Sequence, residues 1–229
     1  MQQRLTDYKV FWRQFRQAYH TTGAVLPSGR GLSLALAHFV RNGAPNSTEP
    51  TDINRPRRIL EVGPGTGAVT AQIAHDLRPD DHLILVERND EFVNHLKTLL
   101  NSSPKFQPTR DRITLIHSSV EDLPEEPFDL IVSGLPLNNF SVELVDRLLS
   151  KLQSLLAPTG ILSFFEYVAI RRAKAIVSPQ RDRQRLRGIE RILDQLLAKG
   201  EIRRDLVLAN VPPAWVHHVC PMSRNGTSS

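Results

Sequence analysis

Apolar and polar positions follow two rhythms along this chain, and the change from one to the other marks out its elements. Short, nearly continuous apolar runs occur at 58–62, 82–86, 112–116, 128–133, 160–166, 203–209 and 214–219. They predict strands, since a strand covered on both faces needs no polar alternation. Between them apolar residues recur every three or four positions over 67–77, 90–101, 141–156 and about 182–199. That spacing places them on one side of a helix. Strands and helices in alternation predict an α/β domain, a doubly wound sheet of seven strands with helices on both faces, over residues 58–220.

The N-terminal 57 residues have a different pattern. Over 4–20, Tyr8, Phe11, Trp12, Phe15 and Tyr19 recur at spacings of three and four, while Arg4, Lys9, Arg13, Arg16 and His20 occupy much of the remainder. This is an amphipathic helix. Its bulky aromatics and flanking cations suit a helix lying in a lipid headgroup interface, and equally one that caps a core. A loop at 22–30 follows, with Ser28 as the expected N-cap of a helix from Gly29 to Arg41. Residues 42–57, rich in Pro, Asn, Thr and Ser, read as an exposed linker, and 221–229 as a disordered tail.

The chemistry is concentrated at Ile59–Gly67. A short apolar strand carrying one carboxylate, Glu61, runs into Gly63-Pro64-Gly65-Thr66-Gly67 and then into a helix. Strand, tight glycine turn and helix N-terminus make a nucleotide-binding crevice at the carboxyl end of a parallel strand. The order is E-x-G-x-G-x-G and not the G-x-G-x-x-G of the dinucleotide fingerprint. Glu87 ends the next apolar run, twenty residues after Gly67. A carboxylate at that place accepts both ribose hydroxyls of an adenosine.

Composition narrows the setting. Of 229 residues, 40% are apolar, ordinary for a globular chain. One cysteine, Cys220, excludes an intramolecular disulfide and fits a reducing cytoplasm. No continuous apolar core suggests a signal peptide, and nothing approaches the roughly 20 apolar residues that span a bilayer. A formal charge of +5, with a pI near 9.7, favours an anionic partner, nucleic acid or membrane surface. His217 and His218, adjacent on a predicted strand, point to opposite faces, and no His/Cys cluster has metal-ligand spacing, so no metal is expected.

With these motifs the chain resembles a class I S-adenosylmethionine-dependent methyltransferase. The resemblance implies a Rossmann-like, mostly parallel sheet whose last strand, after Pro212-Pro213, is reversed. It makes Glu61, Gly63, Pro64, Gly65, Thr66 and Gly67 the loop that wraps the methionine part of S-adenosyl-L-methionine. Glu87, with Arg88 beside it, becomes the ribose site. Ser119, Val120 and Glu121, after the third strand, read the adenine edge, with the Ser119 hydroxyl where the family commonly has Asp.

The fourth strand ends Ser133-Gly134-Leu135-Pro136-Leu137. Methyltransferases of the adenine amino group resemble N-x-P-Y or D-P-P-Y at this place. Here Gly134 replaces the acceptor and Leu137 the ring, so a flipped base loses its hydrogen bond and a stacking platform worth roughly 1–3 kcal/mol. Backbone carbonyls around Gly134 and Leu135 suit a small aliphatic amine better. Together with Thr22–Ser28, Phe165-Glu166-Tyr167 and Asn210-Val211-Pro212-Pro213-Ala214, this stretch resembles the membrane-associated bacterial phospholipid N-methyltransferases that methylate phosphatidylethanolamine.

That resemblance implies a protein of the cytoplasm held peripherally at the inner face of the cell membrane, through Tyr8, Phe11, Trp12, Phe15 and neighbouring Lys and Arg. Its substrate is a phospholipid, not nucleic acid. Glu166 and Tyr167 are the candidates to accept or orient the amine's proton, and Tyr19 is a candidate to line the lipid pocket. An Arg-rich insertion at about 170–200, including Arg171, Arg172, Lys174, Arg181, Arg183, Arg185, Arg187 and Arg191, departs from the family. It is either a site for a lipid phosphate or carboxylate or a solvated helix face. Three other readings remain open: an ornithine-lipid N-methyltransferase, a ribosomal RNA adenine N6-methyltransferase, and a non-catalytic membrane adapter.

Overall fold

The computed structural model describes residues 29–43, 55–168, 180–210 and 212–220. The amphipathic helix expected at 4–20 with its aromatics, the loop 22–28, positions 44–54, residues 169–179 with Arg171, Arg172 and Lys174, the Arg181 side chain and the tail 221–229 lie outside them.

Helices α1 (Arg30–Leu36) and α2 (His38–Asn42) come first. The domain then runs β1 (Arg58–Val62), α3 (Ala68–Asp76), β2 (His82–Glu87), α4 (Asp90–Ser102), β3 (Ile113–His117), β4 (Phe128–Ser133), α5 (Val142–Ser154), β5 (Leu156–Tyr167), α6 (Gln180–Gly200), β6 (Glu201–Val207) and β7 (Ala214–Val219). Short 3-10 turns cover Gln107–Arg112, Val120–Asp122 and Leu137–Asn139. The sheet order is β3-β2-β1-β4-β5-β7-β6. β1 to β5 pair in parallel, and β7 runs antiparallel to both β5 and β6. The order reverses between β1 and β4, so their connections leave in opposite directions and a crevice opens at their carboxyl ends.

Alternating side chains build one apolar layer on each face. On one face Leu60, Val62, Ile131 and Phe164 pack under α5 and α6. On the other, Ile59, Leu83, Leu85 and Val132 pack against α1, α2 and α3. Local chemistry fixes the helix starts: the Asn89 side chain accepts from the N–H groups of Glu91 and Phe92, and Ser141 accepts from that of Leu144. Each such cap is worth about 1 kcal/mol.

The sequence expectations shift in three places. The helix over Gly29–Arg41 is broken at Ala37, where the Val40 N–H turns back to the Ala37 carbonyl at 3.0 Å. Its N-cap is Gly29, not Ser28, and Gly29 makes no side-chain cap. β5 begins at Leu156, earlier than expected, because Gly160 lets its backbone pass Phe128 closely; a Cβ there would lie 2.8 Å from the Phe128 carbonyl oxygen. The last two strands are set by Asn210. Its side-chain oxygen accepts from the Gly29 N–H at 3.3 Å and its amide donates to the Pro212 carbonyl at 2.7 Å, tying the β6–β7 turn to the start of α1.

A buried ion pair joins the two parts of the domain. Arg57 meets Asp81 at 2.5 Å and donates to the Phe39 and Val40 carbonyls at the end of α2. Burial alone would raise the Asp81 carboxyl, but hydrogen bonds from Arg57 and from the Arg78 N–H outweigh it and hold it below the usual aspartate value.

Candidate active site

The glycine turn after β1 folds back over β4. Gly63 donates its N–H to the Val86 carbonyl at 3.0 Å, and Gly134 donates to the Val62 carbonyl at 2.8 Å. Gly63 and Gly67 have φ of +70° and +80°, which only glycine adopts without strain. Gly134 is required for a different reason. A Cβ there would lie 2.6 Å from the Gly63 carbonyl oxygen, so any side chain would push the turn away.

Glu87 holds this turn to the end of β2. One carboxylate oxygen accepts the N–H groups of Arg88 and Asn89 at 2.8 Å each, and the other accepts that of Gly65 at 3.2 Å. Burial raises its pKa, while those three N–H groups pull it back. Glu61 is different. It is fully buried, and neither oxygen has a hydrogen-bond partner among the described residues. Burial pushes its carboxyl up to about 8; nearby Thr70 opposes this and the Glu87 charge adds to it. An ionised Glu61 therefore lacks a cation. A ligand with an ammonium or sulfonium group over the glycine turn supplies one, so the donor set fits the methionine part of the expected cofactor.

A narrow cleft beside the turn is lined by Val62, Gly63, Val86, Glu87, Arg88, Ser119, Val120 and Leu135 among others. The Ser119 hydroxyl caps the next 3-10 turn, accepting from the Glu121 N–H at 3.4 Å. Glu121 does not line the cleft; Arg147 of α5 donates to its carboxylate at 3.2 Å. Ser133 is buried, with its hydroxyl accepting from the Leu135 N–H at 3.4 Å, so it supports the turn below Gly134. Pro64 accepts the Gly67 N–H at 2.9 Å and closes the loop around Thr66. The Leu135 carbonyl, expected to face an amine, accepts the Leu137 N–H at 3.0 Å instead.

β5 separates the two candidate proton acceptors. Phe164 pairs with Ser133 of β4, which sets Glu166 beside the Gly134–Leu135 turn. Glu166 faces α6 and lines a cavity of about 190 Å³ with Asn138, Arg183, Arg187 and Glu190. Tyr167 points to the opposite face and does not line this cavity. It packs edge-on against Phe165, ring centres 5.1 Å apart, and burial raises its hydroxyl pKa. Of the two candidates, Glu166 alone faces the α6 cavity. Tyr19 lies outside the described residues.

Sequence reasoning treated the arginines of α6 as one segment and overlooked Asn138 and Glu190. The signal was present in the spacing: 183, 187 and 190 fall on one helix face. Arg185, on another face, donates to the Asn138 and Phe140 carbonyls at 2.8 Å each. It fastens α6 over the turn after β4 and is no solvated charge. His217 and His218 do face opposite ways. His217 meets Glu201 at 2.6 Å and stacks on Phe164, while His218 meets Ser163 at 2.8 Å. A larger groove of about 720 Å³ lies on the outer side of α3, but its lining of alanines and cations such as Arg30, Lys105 and Arg112 includes no carboxylate to receive an ammonium.

Residues 59–160 match the family model of a methyltransferase domain. An ornithine lipid N-methyltransferase of Singulisphaera acidiphila is 31% identical over 104 residues, 45% of this chain and 54% of that protein. A protein-L-isoaspartate O-methyltransferase of Methanopyrus kandleri is 32% identical over 114 residues, 48% of this chain and 47% of that one. The chain spans about half the length of these curated relatives. Among solved structures it is similar to the Burkholderia thailandensis 1,6-didemethyltoxoflavin-N1-methyltransferase with bound 1,6-didemethyltoxoflavin and S-adenosylhomocysteine. The TM-score is 0.61 at 16% identity, over 93% of this chain and 87% of that one; the likeness is one of fold.

Proposed function

With residues 59–160 a methyltransferase domain of the class I fold as the premise, we propose that the chain transfers methyl groups from S-adenosylmethionine to the amine of a membrane lipid, phosphatidylethanolamine first. The observation that carries this reading is the turn after β4. Leu137 is 1% exposed and belongs to the core, so it offers no platform to a flipped base. Gly134 has no side chain to accept a base proton, and a buried carboxylate, Glu166, flanks the cavity next to it. That arrangement suits an aliphatic ammonium, which must lose a proton before its lone pair reacts.

The cofactor, when bound, supplies an electrophilic methyl group. The chain's own residues do the rest. Gly63, Gly65 and Gly67 let the backbone approach it, and Glu61 gains the cation it lacks. Glu87, held at the end of β2 by the N–H groups of Gly65, Arg88 and Asn89, would accept the ribose hydroxyls. Positioning and electrostatics supply most of the rate.

Ornithine lipid is the second reading, favoured by the Singulisphaera relative; it presents the same aliphatic amine. The membrane is reached through the aromatic and cationic residues at 4–20 and lies on the inner, anionic face. Among the described residues no helix is long and apolar enough to cross a membrane. The test is to incubate the protein with methyl-labelled cofactor and, separately, liposomes of phosphatidylethanolamine, liposomes of ornithine lipid, and ribosomal RNA. Label in a lipid amine is expected. Label in RNA alone refutes the lipid substrate, and label in none refutes the enzyme.

A further inference from the structure

The cavity between the end of β5 and α6 has an ordered charge pattern. Glu166 projects into it from the sheet, while Arg183, Arg187 and Glu190 project from one face of α6. Two anions face two cations, so a ligand of zero net charge suits it best.

Direction follows from the path of α6. Near its start, Arg185 is bonded to the turn after β4. At its end, Gly200 approaches Cys220, just beyond β7. The helix thus runs antiparallel to β5. Arg183 sits nearest the rim at the carboxyl ends of the strands, Arg187 one turn further in, and Glu190 deepest. Arg183 and Arg187 are exposed on the helix while Glu166 is buried on the sheet floor, and cations outside with a carboxylate beneath match a headgroup whose anion lies nearer the tails and whose amine is at the tip. At about 190 Å³ the cavity is smaller than sites for drug-sized ligands, and it fits a headgroup without its chains.

We propose that this cavity is the acceptor site and selects zwitterionic amphiphiles, holding their phosphate or carboxylate on Arg183 and Arg187 and their ammonium on Glu166. This rests on the methyltransferase reading. Glu166 also has a proton route behind it. His217 Nε2 lies 3.7 Å from its carboxylate, and His217 Nδ1 is 2.6 Å from Glu201, which is one-quarter exposed at the sheet edge. His217 Nε2 has no hydrogen-bond partner among the described residues. The ammonium passes its proton to Glu166, becoming a neutral amine. The proton then moves through the imidazole to Glu201 and to water.

Titration calorimetry on the full chain tests the site without turnover. The probes are dihexanoylphosphatidylethanolamine, an N-acylornithine, hexylamine and dihexanoylphosphatidylglycerol. Both zwitterions are expected to bind more tightly than the amine or the anion alone, and the stronger of the two identifies phosphate or carboxylate as the natural anion. In the double variant Arg183→Gln/Arg187→Gln, zwitterion affinity is expected to fall about tenfold or more, the worth of charge-assisted hydrogen bonds, with hexylamine unaffected. Glu166→Gln weakens both. Unchanged zwitterion affinity in the double variant, or equal affinity for all four probes, overturns the proposal.

S-adenosylhomocysteine binding, measured on the same samples, confirms that the variants are folded. If the wild type fails to bind it, the methyltransferase reading falls, while the zwitterion result still decides the cavity. In ¹⁵N spectra the His217 imidazole signals are expected to shift when zwitterion binds to the wild type and not to Glu166→Gln. No shift in the wild type removes His217 from the proton route.

Discussion

Replacing Glu61 by Gln removes a buried ionisable group at nearly constant shape, and the consequence for stability can be worked out in advance. A carboxyl raised from 4.5 to about 8, at 1.36 kcal/mol per tenfold in proton affinity, is harder to ionise in the fold by roughly 5 kcal/mol. The folded state then holds a proton that the unfolded chain has already released. The stabilisation is complete below pH 4.5 and is lost as pH rises toward 8. His218 acts in the opposite sense lower down: burial pushes it to about 4, so between pH 4 and 6.5 the unfolded chain binds the extra proton and stability rises with pH. Above 6.5 the Glu61 contribution stands clear, about 2 kcal/mol over pH 6.5 to 8. Urea denaturation of ligand-free protein at pH 6.5, 7.25 and 8 measures it. The wild type is expected to lose about that much more than Glu61→Gln across the interval. If the ammonium of S-adenosylhomocysteine pairs with the ionised carboxyl, as proposed, saturating ligand is expected to flatten the wild-type slope. Parallel curves for the two proteins would refute the account of Glu61 as an uncompensated carboxyl.

Two further substitutions probe the frame of the site. Gly134→Ala places a Cβ 2.6 Å from the Gly63 carbonyl oxygen; stability is expected to drop by about 1–3 kcal/mol and S-adenosylhomocysteine affinity about tenfold or more, and unchanged affinity by calorimetry would refute the packing argument. Asp81→Asn leaves Arg57 buried against helix carbonyls without its counter-charge; a loss of about 3–5 kcal/mol is expected in denaturant melts, and a loss under 1 kcal/mol would show the pair to be well hydrated.

The order of strands and helices was legible in the sequence because each rests on short-range signals. Apolar runs of five or six residues marked β1, β2, β3 and β4, and three-to-four spacing marked α3 to α6. The glycine turn was equally local, since φ values of +70° and +80° at Gly63 and Gly67 are a property of those residues alone. Glu61 and Glu87 could be named as candidate site residues because a carboxylate inside an apolar run, and another at the end of the next one, are anomalies visible without neighbours.

What the sequence could not determine is which residue meets which across the sheet. Register and crossover set those meetings, and they join positions far apart in the chain. Glu166 and Tyr167 are adjacent, yet pleating sends one to the α6 cavity and the other to the α1 face. Glu121 follows β3, where adenine contacts were expected, yet Arg147 of α5 occupies its carboxylate. Gly134 looked like a missing side chain, while the approach of the Gly63 backbone forbids one there. The arginines of α6 form a charge run in the sequence, and only the packing of the helix along β5 separates Arg185, bonded to the turn after β4, from Arg183 and Arg187 in the cavity. Periodicity and turn chemistry are decided within a few residues and so are written locally; the partners of a buried charge are decided by packing, which exists only once the whole sheet has formed.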